Sequence, residues 1–452
     1  MRERVSRGSF RLFLSGRGMS FRTGIYVLEA ALLGAMAGLV TAAVQWMVCA
    51  MDALAARAFA SGGAWAHLLL PPAGAVAGAL VIERFAHVRH ARGTDSAVRA
   101  FHQGEDIPRT VIPVKSVASV LTVGCGGSAG YEGPVTLLGA ACGCVVTRLL
   151  RLDRRAARIL LAAGIGAGIS ALFRAPLAGA IFGAEIFYSS SDLEYEVLLP
   201  SFIASTMSYT VFAYFWGWEP LFSMQAAPFE KGLHLLPYIA LAVLLAFGAR
   251  CYIAIFRNAE TFFSKRRWPL WAKVAVGGLA TGSLALLLPE GVHGAGYGMI
   301  RRCFAVPVGA GPVGWHLTAF FLGFFVLKVV ATSFTVGSGG SGGVFAPALV
   351  CGGALGMAVG LFFHNVLPPW VGIAPAEFAL VGMAGFLAST VRVPITAVLM
   401  VAEISGNHEL LMPAMWVCGI SFWLNNGWSL YRSQVHSRAS SPLHGFLHRQ
   451  AH

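Results

Sequence analysis

Glu132 is an acidic residue inside a glycine- and proline-rich run, Gly127-Ser128-Ala129-Gly130-Tyr131-Glu132-Gly133-Pro134, within an otherwise apolar region. An ionisable side chain in such a place is costly and by default indicates a functional site. The alternative is an acid that only stabilises the positive end of a helix dipole. A carboxylate here would compete with an anion for the same position, and protonation would remove its charge.

A second run of the same kind lies 213 residues later (340 − 127) and reads Gly340-Ser341-Gly342-Gly343-Val344-Phe345-Ala346-Pro347. Phe345 stands where Glu132 stands in the first run. Glycine permits unusual backbone angles, and proline suits the first turn of a helix. A helix that begins behind this run would direct the N–H groups of Val344 and Phe345 at a small anion.

Further matching positions follow both runs at an offset of 218 residues (392 − 174), which is the signature of a duplication. The pairs are Arg174 and Arg392, Pro176 and Pro394, and Glu185 and Glu403. Duplicated halves whose apolar segments are broken at matching places predict a solute site at the interface between the halves.

The composition indicates an all-α, polytopic membrane protein. Of 452 residues, 56% are hydrophobic and only 12% are charged. Several apolar stretches are shorter than the roughly 20 residues of a full span. Because non-helical backbone at membrane depth must be buried in protein or line a wet cavity, broken segments favour a transporter or channel with discontinuous helices.

The predicted organisation has four parts. Residues 1–23 form a basic cytoplasmic segment, 24–217 the first membrane repeat, 232–425 a second repeat of inverted topology, and 426–452 a C-terminal helix with a short cytoplasmic tail; no CBS-type regulatory domain is expected. The formal charge of +13 arises from basic clusters beside apolar segments. The positive-inside rule then places both termini in the cytoplasm, with a bacterial inner membrane as the expected location, and no nucleic-acid partner.

Other chemistries find little support. The eight cysteines and thirteen histidines are scattered without metal-ligand spacing, so neither a metal nor another cofactor is predicted. A membrane-embedded enzyme would need an acid–base or HExxH-like constellation, and a phosphate loop would need Lys-Ser/Thr after its glycines. A different inverted-repeat transporter, for a larger anion or another solute, is the serious alternative.

The runs GxEGP and GGxFAP, in this order and with Arg-x-Pro…Glu in both halves, resemble the CLC family of chloride channels and chloride/proton antiporters. The resemblance covers roughly residues 93–431. It implies a homodimer with one anion pathway per subunit in a lipid bilayer, with chloride or a similar anion as substrate and protons as a second one.

The resemblance also implies roles for individual residues. Glu132 is similar to the gating glutamate, which blocks the pathway when charged. Val344 and Phe345 match the positions whose amides hold the central anion, and Tyr431 resembles the tyrosine that closes the inner side of that site. Three further residues would line the pathway: Gly130, Gly133 and Lys115.

The family's serine-bearing motif is replaced here by Gly93-Thr94-Asp95-Ser96-Ala97. We align Thr94 with the anion-binding serine because its hydroxyl donates equally well. Ser96 is the competing register. Asp95 is either an acid beside the anion or a helix cap.

Two more departures bear on mechanism. Tyr131 replaces the basic residue that usually precedes the gating glutamate, so the mouth loses a positive charge, while the tyrosine hydroxyl could donate to the Glu132 carboxylate or to an anion. Ile186 occupies the position of the antiporters' internal proton glutamate, and Glu185 beside it is interpreted as structural. Because isoleucine cannot relay a proton, we expect anion permeation as a channel or loosely coupled carrier, with coupled chloride/proton antiport as the alternative.

Overall fold

The computed structural model describes residues 20–85, 93–222, 235–307, 313–368 and 373–442. Most of the predicted basic segment 1–23, most of the polar stretch between the halves (223–234) and the tail 443–452 lie outside the described residues. Within the described ranges the protein is all-α, and its β-pairing is limited to two isolated bridges. The predicted fold class is thereby confirmed.

Sixteen α-helices, numbered here in chain order, are found in the described ranges. They are α1 Ser20–Arg84, α2 Thr94–Gln103, α3 Val111–Gly124, α4 Glu132–Leu150, α5 Arg154–Phe173, α6 Pro176–Glu185, α7 Tyr195–Trp216, α8 Leu235–Lys265, α9 Leu270–Ala285, α10 Pro289–Val292, α11 Tyr297–Ala305, α12 Trp315–Gly337, α13 Phe345–Val366, α14 Pro375–Thr390, α15 Pro394–Ser405 and α16 Leu411–Leu424.

Seven of these helices have the length and apolar composition needed to cross a membrane: α1, α4, α5, α7, α8, α12 and α13. Helix α1 is a pair of helices, because the backbone leaves helical geometry at Gly63 (φ 52°). Others, such as α3, α9 and α15, are apolar but short. The protein is an integral membrane protein that combines full spans with partial ones.

The two halves interlock through their short helices. The Glu185 carboxylate, at the end of α6, accepts hydrogen bonds from the N–H groups of Ile395 (2.9 Å) and Thr396 (2.8 Å) at the start of α15. Because the first N–H groups of a helix have no partner within it, this carboxylate satisfies two of them.

The reverse contact is made by the equivalent residue of the other half. The Glu403 carboxylate on α15 accepts from the N–H groups of Leu177 (3.0 Å) and Ala178 (2.7 Å) at the start of α6. Each repeat therefore caps a helix of the other, as an inverted, two-fold-related arrangement requires.

Glycines permit the closest helix contacts in each half. A Cβ at Gly164 on α5 would collide with the backbone of Gly139 on α4, and one at Gly382 on α14 would collide with Gly352 on α13. Small residues let the backbones approach, which is how helices associate in a bilayer. These contacts pack α5 tightly against α4 and α14 against α13. Helices α4 and α13 are the two that begin at the glycine-rich runs.

The C-terminal helix expected within 426–452 is not formed between 426 and 441; residue 442 is helical, and the residues after it lie outside the described ranges. The chain turns at Gly427 (φ 81°), and it then runs beside the first half through backbone hydrogen bonds of Ser189 and Ser190 to Val435 and His436. A single 3₁₀ turn, Arg438–Ser440, precedes residue 442. The left-handed glycine and these backbone partners explain why the chain is not helical between 427 and 437.

Candidate functional site

The two glycine-rich runs meet at equivalent residues. The N–H of Gly130 donates to the carbonyl of Gly343 (2.9 Å), and the N–H of Gly343 donates to the carbonyl of Gly130 (2.7 Å). A Cβ on Gly133 would lie 2.8 Å from the Gly343 Cα, so only glycine fits this approach. As a result, the starts of α4 and α13 lie side by side.

Glu132 is the first residue of α4 and is 1% exposed. The Tyr297 hydroxyl donates to its Oε1 (2.7 Å). The second oxygen, Oε2, is buried and makes no well-formed hydrogen bond within the described part of the chain. The carboxylate lies over Gly130, where a Cβ would collide with Oε2.

The carboxylate reaches the start of the other repeat's helix. The backbone N–H of Ala346 faces it, and α13 begins at Phe345 without a side-chain cap. Val344, Phe345 and Ala346 have N–H groups that helix geometry leaves without an intrahelical acceptor, and the dipole adds partial positive charge there. A negative group is stabilised at this place.

A cavity of about 360 Å³ leads up to these helix starts. Five residues proposed from the sequence line it: Thr94, Lys115, Gly133, Val344 and Tyr431. Lys115 is 5% exposed and Tyr431 is 6% exposed. Lys273 and Arg432 also line the cavity, together with the acids Asp95 and Glu260. Arg432 pairs with Glu260 (2.9 Å), so the lining keeps a small excess of basic side chains.

Thr94 rather than Ser96 faces the cavity. The Thr94 hydroxyl is 2.7 Å from the Thr136 hydroxyl, which itself donates to the carbonyl of Gly133 (2.7 Å). The Tyr431 hydroxyl hydrogen-bonds the Thr94 side chain. The geometry therefore supports the Thr94 register.

Asp95 does not cap its own helix, in contrast to one of the two interpretations of the sequence. Its carboxylate accepts from the N–H (2.9 Å) and the hydroxyl (3.0 Å) of Ser433. The helix begins beside Gly93 with no side-chain cap. Because both carboxylate oxygens are engaged, Asp95 anchors the C-terminal segment although it borders the cavity.

Tyr131 also has a partner that the sequence did not reveal. Its hydroxyl hydrogen-bonds the Asp52 carboxylate on α1. The donor that reaches the Glu132 carboxylate is therefore Tyr297 and not its own neighbour Tyr131.

Lys328 on α12 is a functional candidate that our reading of the sequence missed. The side chain is fully buried, and its Nζ donates to the carbonyls of Val292 (3.0 Å) and Gly294 (2.7 Å). It also interacts electrostatically with Glu132. The signal was present, because a lysine inside an apolar span is a functional candidate by default.

Tyr297 left no comparable signal in the sequence. It lies on a short helix, α11, and its relation to Glu132 depends on a contact across 165 residues. The residue type alone therefore predicts nothing about this contact.

Ile186 and Phe345 lie away from the cavity wall. Ile186 is fully buried at the end of α6, and its carbonyl accepts from Gln434 Nε2 (2.8 Å). The Phe345 ring packs against Phe173 and Phe182, with ring centroids 5.5 Å and 5.6 Å away. The side chain of Phe345 therefore packs into the protein core and does not face the cavity.

Comparisons with known proteins agree with this architecture. A family model described as voltage gated chloride channel matches residues 73–426. A ClcB-like protein from Ralstonia nicotianae is 31% identical over 379 residues, covering 82% of this chain and 85% of the relative. The H(+)/Cl(-) exchange transporter ClcA of Yersinia pestis is 30% identical over 408 residues, covering 87% and 83%.

The fold is also similar to a solved structure, that of a CLC-type fluoride/proton antiporter. The TM-score is 0.78 at 22% identity, covering 92% of this chain and 99% of the other. Since the family model spans most of the chain, and the ClcB-like and ClcA relatives match over most of their lengths, this protein belongs to the CLC family.

Proposed function

We propose that this protein transports chloride or a similar small anion through a pathway that Glu132 gates. The pairing of Gly130 with Gly343, which brings the starts of α4 and α13 together at the Glu132 carboxylate, is the observation that carries the proposal. An anion replaces this carboxylate in front of the helix N–H groups when the side chain is neutral or displaced.

The central site is built from donors of both halves. The Val344 and Phe345 amides offer N–H groups, and the hydroxyls of Thr94 and Tyr431 redirect their protons to an anion that enters from the cavity. Lys115, Gly130 and Gly133 line the way. Glu132 is the blocking group beyond this site, and Tyr131 lies beside it at the mouth.

Two modes of transport are compatible with such a site. Ile186, where the family's antiporters carry a proton-accepting glutamate, favours permeation without tight proton coupling. Coupled exchange is the second candidate, because ClcA relatives are named as H(+)/Cl(-) exchange transporters. A proton would then reach Glu132 by a route that does not use residue 186.

The proposal extends to assembly and placement. The protein works as a homodimer with one pathway per subunit in a bacterial inner membrane, with its termini in the cytoplasm. The two repeats correspond to residues 24–217 and 232–425. Crosslinking in the membrane and light scattering in detergent test the dimer.

Liposome efflux with a panel of anions tests the function. Purified protein is reconstituted, and efflux of chloride, fluoride, nitrate and a larger organic anion is recorded together with the pH. Chloride efflux far above that of empty liposomes supports the proposal. The absence of efflux for every small anion tested would refute it, and stoichiometric proton movement would select exchange.

A further inference from the structure

A pair of histidines lies outside the proposed pathway residues. His67 Nδ1 on α1 and His293 Nε2, which follows α10, are 2.9 Å apart. His293 Nδ1 is 2.9 Å from the carbonyl of Gly126, in the loop before α4. The Phe59 ring stacks on both imidazoles, with centroids 4.6 Å from His67 and 4.5 Å from His293.

The protons of this pair can be assigned from its partners. A carbonyl only accepts, so His293 Nδ1 carries a proton and donates to Gly126. In the neutral ring, Nε2 is then an acceptor, and His67 Nδ1–H donates to it. The bond persists while one of the two facing nitrogens can accept, and it is lost when both carry a proton.

His293 begins a segment, residues 293–297, that contacts the gate region. The carbonyls of Val292 and Gly294, on either side of His293, accept from Lys328 Nζ. At the other end of the segment, the Tyr297 hydroxyl donates to the Glu132 carboxylate. The histidine bond ties this segment to α1 and to the loop that leads into α4.

We propose, on the basis of the function proposed above, that His67 and His293 are positioning residues of the gate. Their hydrogen bond holds segment 293–297 where Tyr297 reaches Glu132. Acid that protonates both rings breaks the bond, loosens Tyr297 and favours release of the Glu132 side chain.

The surroundings of the pair disfavour protonation of His293. Burial, with smaller contributions from His67 and Lys328, lowers the pKa of His293 from 6.5 to about 4. The folded arrangement therefore binds this proton less readily than the unfolded chain does. The neutral, buried His293 therefore makes its full contribution to the free energy of unfolding above about pH 6.5. This contribution is lost as the pH falls toward 4.

Charged and titratable groups on the adjoining elements include Asp52 on α1, whose carboxylate hydrogen-bonds Tyr131. Lys328 on α12 is the charged group that acts on His293. On α10, Glu290 pairs with Arg302 (3.3 Å) at the surface. The loop before α4 contributes the buried thiol of Cys125, and Arg57 is the charged residue nearest to Phe59 along α1.

The test compares His67→Ala with His67→Asn in proteoliposomes buffered to the same pH on both sides, from pH 7.5 to 3.5. An asparagine amide does not titrate: its N–H donates to His293 Nε2, and after an amide flip its oxygen accepts from a protonated Nε2. His67→Ala is expected to raise chloride flux at pH 7.5 about fivefold, the equivalent of one ordinary hydrogen bond, and to flatten the pH profile.

His67→Asn is expected to keep the wild-type flux at pH 7.5. Its flux should rise less on acidification than that of the wild type, because the asparagine oxygen accepts from a protonated His293 and the bond survives. His316→Gln, which alters an exposed histidine at the start of α12, serves as the control and should follow the wild-type curve.

Two results would overturn the inference. One is that both His67 variants follow the wild-type profile. The other is that both change flux equally at every pH, which would indicate a packing role only. The unfolding temperature, measured against pH, gives a readout that needs no transport. It should fall less on acidification in His67→Asn than in the wild type, and identical curves would contradict the inference. Glu132→Gln with wild-type flux and pH response would instead refute the gate, leaving this thermal result in place.

Discussion

At the residue scale, the Glu132 carboxylate is buried at the first turn of α4, where Tyr297 donates to one oxygen and the other lacks a well-formed hydrogen bond in the described structure. Glu132 interacts with Lys328 electrostatically but does not contact it in an ion pair. Such a side chain is held by a few removable contacts. Such contacts suit the gating role that we propose for Glu132.

Replacing Glu132 with Gln or Ala is expected to raise anion flux and to keep it high from pH 7.5 to 4.5, because the charge that competes with the anion is gone. Flux is measured by chloride efflux from liposomes. Glu409→Gln, which changes an exposed acid, is the matched control. A pH dependence as strong as that of the wild type would contradict the gate assignment.

Tyr297→Phe removes one hydroxyl and leaves the ring in place. A hydrogen bond to a charged group contributes about 1.5–3 kcal/mol, so its loss should shift the gate toward the open state by roughly tenfold or more. Efflux at neutral pH is expected to rise, with the acid midpoint moved to higher pH. Equal flux in mutant and wild type would show that this bond does not restrain the carboxylate.

At the element scale, α6 and α15 begin with proline after an arginine in left-handed conformation, Arg174 (φ 55°) and Arg392 (φ 67°). Each of these helices is capped by a glutamate of the other half. The exchange of caps couples the two repeats at the level of their backbones.

Glu185→Gln and Glu403→Gln should both lower stability, because an amide offers one acceptor oxygen where two were used. The loss is about 1–3 kcal/mol for each N–H left without a partner. Glu185→Gln should cost more, since the Thr396 hydroxyl also donates to this carboxylate (2.6 Å). Thermal unfolding in detergent measures both, and equal unfolding temperatures of both variants and the wild type would exclude a capping role.

At the scale of the whole molecule, proton coupling needs a continuous route between the two sides of the membrane. Glu132 supplies a titratable group at the gate, whereas the buried position 186 supplies none. Proton coupling therefore depends on whether a route other than residue 186 connects Glu132 to the other side of the membrane.

Ile186→Glu is expected to increase proton uptake driven by a chloride gradient, because it adds a titratable group at the place that the family's antiporters use. Ile186→Gln provides the control for burying a polar group there. Proton and chloride movements are recorded in the same liposomes. Unchanged proton uptake in Ile186→Glu relative to Ile186→Gln would mean that protons take another route or do not move.

The sequence by itself determined the all-α membrane fold, the duplication and the family, because apolar composition and repeated glycine- and proline-rich runs are local properties of the chain. Lys328 was equally visible as a charge inside an apolar helix, and we overlooked it. The tertiary structure alone decided that Gly130 pairs with Gly343, that Thr94 rather than Ser96 faces the cavity, that Asp95 holds Ser433, and that Tyr297 reaches Glu132. Each of these depends on side chains or backbone groups brought together from distant parts of the chain, and a contact of that kind leaves no periodicity or spacing that a single sequence could display.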